Sequence, residues 1–276
     1  MNMQPHRFLV VLTLAVGMVT FSRGQDLTAK GRDIFKKHQT SVITVELVIK
    51  SKFGFGGGGG DSRESRQEVT GTVIDPSGLT AVSLSSTDPT GMISSFMGGL
   101  GGDDGESLKL KMESEVSDVK MLIHDGSELP AEIVLRDKDL DLAFLRPKTK
   151  PASPLPALDL GSSAKVDVLD QVIAINRLGK VAGRAYAASI ERIHAVVQRP
   201  RLFYVPGSDT TATGLGCPAF NAEGKLVGLF VMRSIKSGGG GMSFLTMQSP
   251  PIMGILLPAD EVKKVAAQVP AAKEEK

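Results

Sequence analysis

Short runs rich in Val, Ile and Leu recur along this chain and are cut off by glycine, proline or Asp-Gly before any of them grows long. They are "SVITVELVIK" (41–50), "QEVTGTVID" (67–75), "DVKMLIHDG" (118–126), "AEIVLRD" (131–137), "DLAFLRP" (141–147), "DQVIAINR" (170–177), "AASIERIHAVV" (187–197) and "GKLVGLFVMR" (224–233). Residues branched at Cβ in near-alternation fit a pleated strand with one buried face, and turn signals at this spacing predict an all-β barrel or sandwich. "HDGSELPAEI" reads as a hairpin turn with a strand on either side. The segment "RPKTKPASPLPALDLG" (146–161) carries four prolines and no period, and is expected to cross between two halves of the chain. Helices are predicted at the two ends, over "LTAKGRDIFKKH" (27–38) and "PADEVKKVAAQV" (258–269), the second opening with Pro and acids as the helix dipole favours.

The first residues read as an export signal. Arg7 precedes fourteen apolar-dominated residues from Phe8 to Phe21, and Ser22-Arg23-Gly24 places small residues where a signal peptidase reads. Fourteen residues are short for a bilayer span, so an uncleaved anchor is the alternative, and no later segment is apolar enough to cross. Losing residues 1–24 removes Arg7 and Arg23 and takes the formal charge from +2 to zero. A neutral chain has no electrostatic case for nucleic acid or an anionic membrane. The single cysteine, Cys217, excludes an intramolecular disulfide. No cofactor is expected. His38, His124 and His194 are scattered and lack the carboxylate or cysteine neighbours of a zinc site.

Three glycine-rich segments interrupt the strand pattern: "FGFGGGGGDSRES" (53–65), "GMISSFMGGLGGDDGES" (91–107) and "KSGGGGMSFLTMQSPP" (236–251). They lack the lysine and hydroxyl of a phosphate-binding loop and read as long loops. Met92, Phe96, Met97, Met242, Phe244 and Met247 are unusual for solvated loops, and adaptable side chains of this kind suit a partner surface. A loop folded back on its own barrel accounts for them equally well.

"TGLGCPAFN" (213–221) crowds two glycines and a proline ahead of a strand, the mark of a tight turn that presents one side chain, and here that side chain is Leu215. Four stretches in order resemble the exported trypsin-like serine proteases of the HtrA/Deg type: "VTGTVIDPSGLTAVSLSSTD" (69–88), "MLIHDGSELPAEIVLRDKDLDLAFLRP" (121–147), "LDLGSSAKVDVLDQVIAINRLG" (158–179) and "PIMGILLPADEVKKV" (251–265). The resemblance implies two six-stranded β-barrels of the chymotrypsin/trypsin type with short terminal helices. It divides the chain into a signal peptide (1–24), an N-terminal helix (25–40), a first barrel (41–147), a linker (148–157), a second barrel (158–257) and a C-terminal helix with its tail (258–276).

By the same resemblance, Asp141 in "DLDLAFL" stands where the family carries its catalytic aspartate. Ser85 stands where the family has histidine (Ser83 if the gap is shorter), and Leu215 stands at the nucleophile. The oxyanion turn falls on Thr213 and Gly214, with Thr213 where the family usually has glycine. A hydroxyl nucleophile needs an imidazole to take its proton and a carboxylate to orient that imidazole, and only the carboxylate is present. Cys217 lies two residues past the nucleophile position and is expected to be a small buried filler.

The expected function is therefore that of an exported pseudoprotease, periplasmic or secreted. It would bind a protein or peptide partner, or further copies of itself, instead of cutting. Family members carry a peptide-binding PDZ domain after the protease unit, whereas this sequence stops soon after the closing helix. Peptide capture is thus expected in the cleft between the barrels or at a strand edge. The alternatives are an active serine endopeptidase with a rearranged site, and an envelope structural protein acting through its glycine-rich loops.

Overall fold

The computed structural model describes residues 23–55, 61–88, 110–207, 214–234 and 252–272. Twelve strands in these residues close into two barrels. The first contains β1 (Val42–Phe55), β2 (Asp61–Val73), β3 (Thr80–Ser83), β4 (Leu110–Leu122), β5 (Glu128–Asp137) and β6 (Leu142–Pro147), arranged β1-β2-β3-β6-β5-β4. The second contains β7 (Gln171–Arg177), β8 (Tyr186–Val197), β9 (Phe203–Pro206), β10 (Pro218–Phe220), β11 (Leu226–Ser234) and β12 (Ile252–Pro258), arranged β10-β11-β12-β9-β8-β7. Helix α1 (Arg23–His38) precedes the first barrel and α2 (Ala259–Ala266) follows the second. Each predicted strand is present. The Asp-Gly hairpin joins β4 to β5, with Ser127 N–H donating to Asp125 Oδ1 at 2.8 Å.

The alternation of β1 is that of a half-buried strand. Ile43, Val45, Leu47 and Ile49 fill the first barrel, while Lys50 and Lys52 face water. Other runs are apolar at nearly every position because both of their faces are covered. In β6, Ala143 and Leu145 point into the first barrel, and Leu142 and Phe144 point into the seam between barrels. In β7, Val172 and Ala174 fill the second barrel, and Ile173 and Ile175 meet Leu142 and Phe144 in the same seam cluster. Ile34 of α1 and Val262 and Val265 of α2 complete that cluster. The proline-rich crossing is fastened to the first barrel, with Leu155 N–H donating to Pro76 O and Leu158 N–H to Val73 O, both at 2.9 Å. Leu155 and Leu158 are buried.

Two expectations need correction. The first glycine-rich segment is not wholly a loop: β1 runs on to Phe55 and β2 starts at Asp61, in unbroken register from Val42–Thr72 to Phe53–Asp61. Pairing of Lys52 and Phe53 with Ser62 and Asp61 of β2, and of Gly54 and Phe55 with Lys111 and Leu110 of β4, overrides the poor strand propensity of glycine. His124 sits in the turn after β4 instead of on the strand itself. Met92, Phe96, Met97, Met242, Phe244 and Met247, expected at a partner surface, lie outside the described residues, as do residues 1–22, where the export signal is expected. Among the described residues no helix is long and apolar enough to cross a membrane.

His38 closes α1 with its ring stacked on Phe220, the centroids 4.6 Å apart, and its Nε2 is buried without a hydrogen-bond partner. Burial, and secondarily the Lys37 charge, hold its pKa below the ordinary value. A lowered folded-state pKa means that the unfolded chain binds the extra proton more readily, so stability falls as pH drops through about 6.5. His38→Phe keeps the ring stack and removes the titrating group. Its thermal unfolding should therefore decline less than the wild type's between neutral and mildly acid pH.

Candidate functional site

The turn from Asp137 to Asp141 places a carboxylate at the barrel junction. Asp137 Oδ1 accepts the N–H groups of Asp139 at 2.9 Å and Leu140 at 3.0 Å, which tightens the chain before β6. Asp141 then adopts a left-handed backbone with φ 56°, and its carbonyl accepts Leu84 N–H at 2.9 Å. The residue is 6% exposed, and both carboxylate oxygens are occupied. Oδ1 accepts Ser85 N–H at 2.7 Å and Ser85 Oγ–H at 2.6 Å. Oδ2 accepts Ser83 Oγ–H at 2.5 Å and, from the second barrel, Met232 N–H at 2.7 Å. Burial pushes the Asp141 carboxyl above the usual carboxylate range, against the lowering effect of these donors.

The fold brings Ser85 to Asp141, and Ser83, named above as the alternative at the histidine position, is a second partner. The amide of Met232 could not be anticipated, because a backbone donor has no signature in the sequence.

The turn that carries Leu215 packs against the first barrel through its backbone. Gly214 and Gly216 have φ 80° and 87°. A Cβ on Gly216 would lie 2.3 Å from Thr70 O, so only glycine permits this approach. Thr72 Oγ–H donates to Gly216 O at 2.7 Å, and Gly216 N–H donates to Phe230 O at 2.7 Å. Thr70 Oγ–H reaches Asn176 Oδ1 at 2.7 Å, in the place where a Cβ on Gly214 would strike the Asn176 amide. Leu215 itself is half-buried. Thr213 lies outside the described residues.

The remaining nucleophile and base candidates stand apart from this junction. Cys217 is fully buried, and burial, followed by the Glu191 charge, drives its thiol pKa upward, opposite to what a reactive thiolate needs. His124 and His194 are exposed, and the His194 ring lies against Gly207. His38 is stacked on Phe220. Among the described residues no histidine donates to Asp141. Among the described residues no cluster of three or more His, Cys, Asp or Glu is arranged to hold a metal. A groove of about 450 Å³ between α1 and the second barrel is lined by Leu27, Lys30, Lys165, Asp170 and Glu223, and includes none of Ser85, Asp141 and Leu215.

Two barrels of six antiparallel strands, with an aspartate of the first bonded to a strand of the second beside a glycine-framed turn, define a trypsin-type protein. A model of the trypsin-like peptidase domain family matches residues 69–229, more than half of the chain. The chain belongs to that family. It is 33% identical over 133 residues to a probable periplasmic serine endoprotease, DegP-like, of Halomonas elongata, covering 46% of this chain and 27% of that protein. It is 34% identical over 126 residues to a protein so described in Hahella chejuensis, covering 44% of this chain and 26% of that one. The matched stretch thus spans about a quarter of the length of these curated relatives.

Proposed function

We propose that this protein is an exported pseudoprotease that keeps the trypsin-like frame and works by binding or scaffolding a protein or peptide. One observation carries the reading: the carboxylate in the aspartate position is saturated by Ser83, Ser85 and Met232. An orienting aspartate acts through a hydrogen bond to imidazole, and here hydroxyls and amides use that capacity. Serine hydroxyls do not accept a proton near neutral pH, and Leu215 offers no nucleophile. Loss of base and nucleophile together removes most of the rate that a triad supplies, since its members act as a unit. The apolar core from Phe8 to Phe21 supports export, and the naming of the relatives as periplasmic is consistent with it.

The test is direct. Purified protein should neither cleave casein nor take up a serine-directed fluorophosphonate probe. Leu215→Ser alone should leave it inert, because Ser85 still stands in the base position. Leu215→Ser combined with Ser85→His and Thr213→Gly is the variant in which probe labelling should first become detectable. Labelling or turnover by the unmodified chain, traced to a residue whose substitution abolishes it, would overturn the proposal.

A further inference from the structure

Beyond Glu46, β1 is flanked among the described residues only by β2 and β4, since β3 pairs with β2 only at Thr72 and Val73 and β5 pairs with β4 only from Lys120 to Leu122. The outer edges of this three-stranded ribbon therefore carry backbone groups with no strand partner among the described residues, and such edges template further pairing. The two edges are not equivalent. That of β4 is broken by a bulge opposite Val48 and Ile49, and it presents the like-charged Glu115 and Asp118. That of β2 is regular through its whole register with β1. Arg63, Glu64, Ser65 and Arg66 are all exposed on it, with signs alternating about Ser65. Toward the barrel the free stretch ends at Glu68, where the Lys180 amide and Arg184 Nε close over the carboxylate, each at 3.0 Å.

We propose that the outer edge of β2 pairs antiparallel with the same edge of a second copy of this chain, about a twofold axis through Ser65. In this register Glu64 of each copy stands opposite Arg66 of the other, Arg63 opposite Gln67, and the two Ser65 side chains face one another. Opposite charges directly across an antiparallel pair stabilise it, and like charges destabilise it. A twofold interface is self-complementary by construction, and this sequence meets that condition with two Glu–Arg pairs. The β4 edge does not, because from Ser114 to Val119 its charged residues, Glu115 and Asp118, are both acidic and no opposite charge stands among them. The dimer would extend the sheet through both ribbons and leave the junction around Asp141 untouched, so it stands whether or not the protein cuts.

Light scattering of the purified full chain over a dilution series should show a monomer–dimer equilibrium that weakens with added salt. Arg66→Glu sets two acidic pairs across the axis and should weaken the dimer by about tenfold or more, with an unchanged circular dichroism spectrum. Adding Glu64→Arg to that variant exchanges the signs and should restore association. Ser65→Cys should give a disulfide-linked dimer under copper–phenanthroline, while the buried Cys217 leaves the parent chain uncrosslinked. A monomer or trimer at all concentrations would overturn the assignment. So would a dimer indifferent to Arg66→Glu, or one that pairs β2 with β4 and yields no Ser65→Cys cross-link.

Discussion

Asp141→Asn is expected to lower the stability of this protein by about 2–4 kcal/mol, a large effect for a change of one atom that preserves shape. The reason lies in the four donors around the carboxylate. The two serine hydroxyls can turn to become acceptors, but the N–H groups of Ser85 and Met232 cannot. Whichever way the asparagine amide is placed, its NH2 group faces one of these fixed N–H groups. A buried donor is then left without an acceptor, and the contact between barrels at Met232 or the anchoring of Ser85 is lost. Asparagine tolerates the left-handed backbone at this position, so strain does not confound the comparison. Chemical denaturation read by circular dichroism measures the difference.

The pH dependence follows from the direction of the shift. A carboxyl whose pKa is raised by burial costs more to ionise in the folded than in the unfolded chain. The wild type's advantage over Asp141→Asn is therefore complete below the unfolded value of about 3.9 and shrinks as pH rises through the folded pKa. A gap that widened with rising pH would mean that the donors outweigh burial.

Gly216→Ala is expected to cost about 3–5 kcal/mol and to give little folded protein. Two penalties coincide there. A backbone φ of 87° disfavours any residue with a Cβ, and the added carbon would press on Thr70 O, a backbone atom of the opposite barrel. Gly126→Ala provides the control, because Gly126 has the same φ of 87° with nothing within 4 Å of the added Cβ. It should cost only about 1–2 kcal/mol, the conformational term alone. Similar losses in the two variants would mean that the close approach of the turn to the first barrel contributes little.

Much of this arrangement was legible in the residues. The alternation of "SVITVELVIK" specified a half-buried strand, and the continuous apolar runs of "LAFL" and "VIAI" belong to strands covered on both faces. Their order, punctuated by Asp-Gly and by prolines 147 to 156, pointed to an all-β chain crossing between two halves, and the family resemblance implied the two barrels. The resemblance then placed Asp141, Ser85 and Leu215, and the structure brings the first two into contact. The register of β1 with β2 from Lys50 to Phe53 was hidden, because a glycine-rich stretch has the composition of a loop and forms strand only when a neighbour supplies the hydrogen bonds.

What the sequence determined by itself is which side chains are present: one carboxylate, no imidazole in its expected place, no hydroxyl at position 215. What only the tertiary structure decided is what the carboxylate now holds. The donors come from β3, the turn after it and β11, and so from both barrels, and two of them are the backbone amides of Ser85 and Met232. Hydrogen bonds of this kind depend on the distance between chain segments 58 and 91 residues apart, a quantity that local pattern does not encode. The chain specifies the aspartate, and folding turns it into a latch between the barrels, because a buried carboxylate must be satisfied by whatever donors the packed strands bring to it.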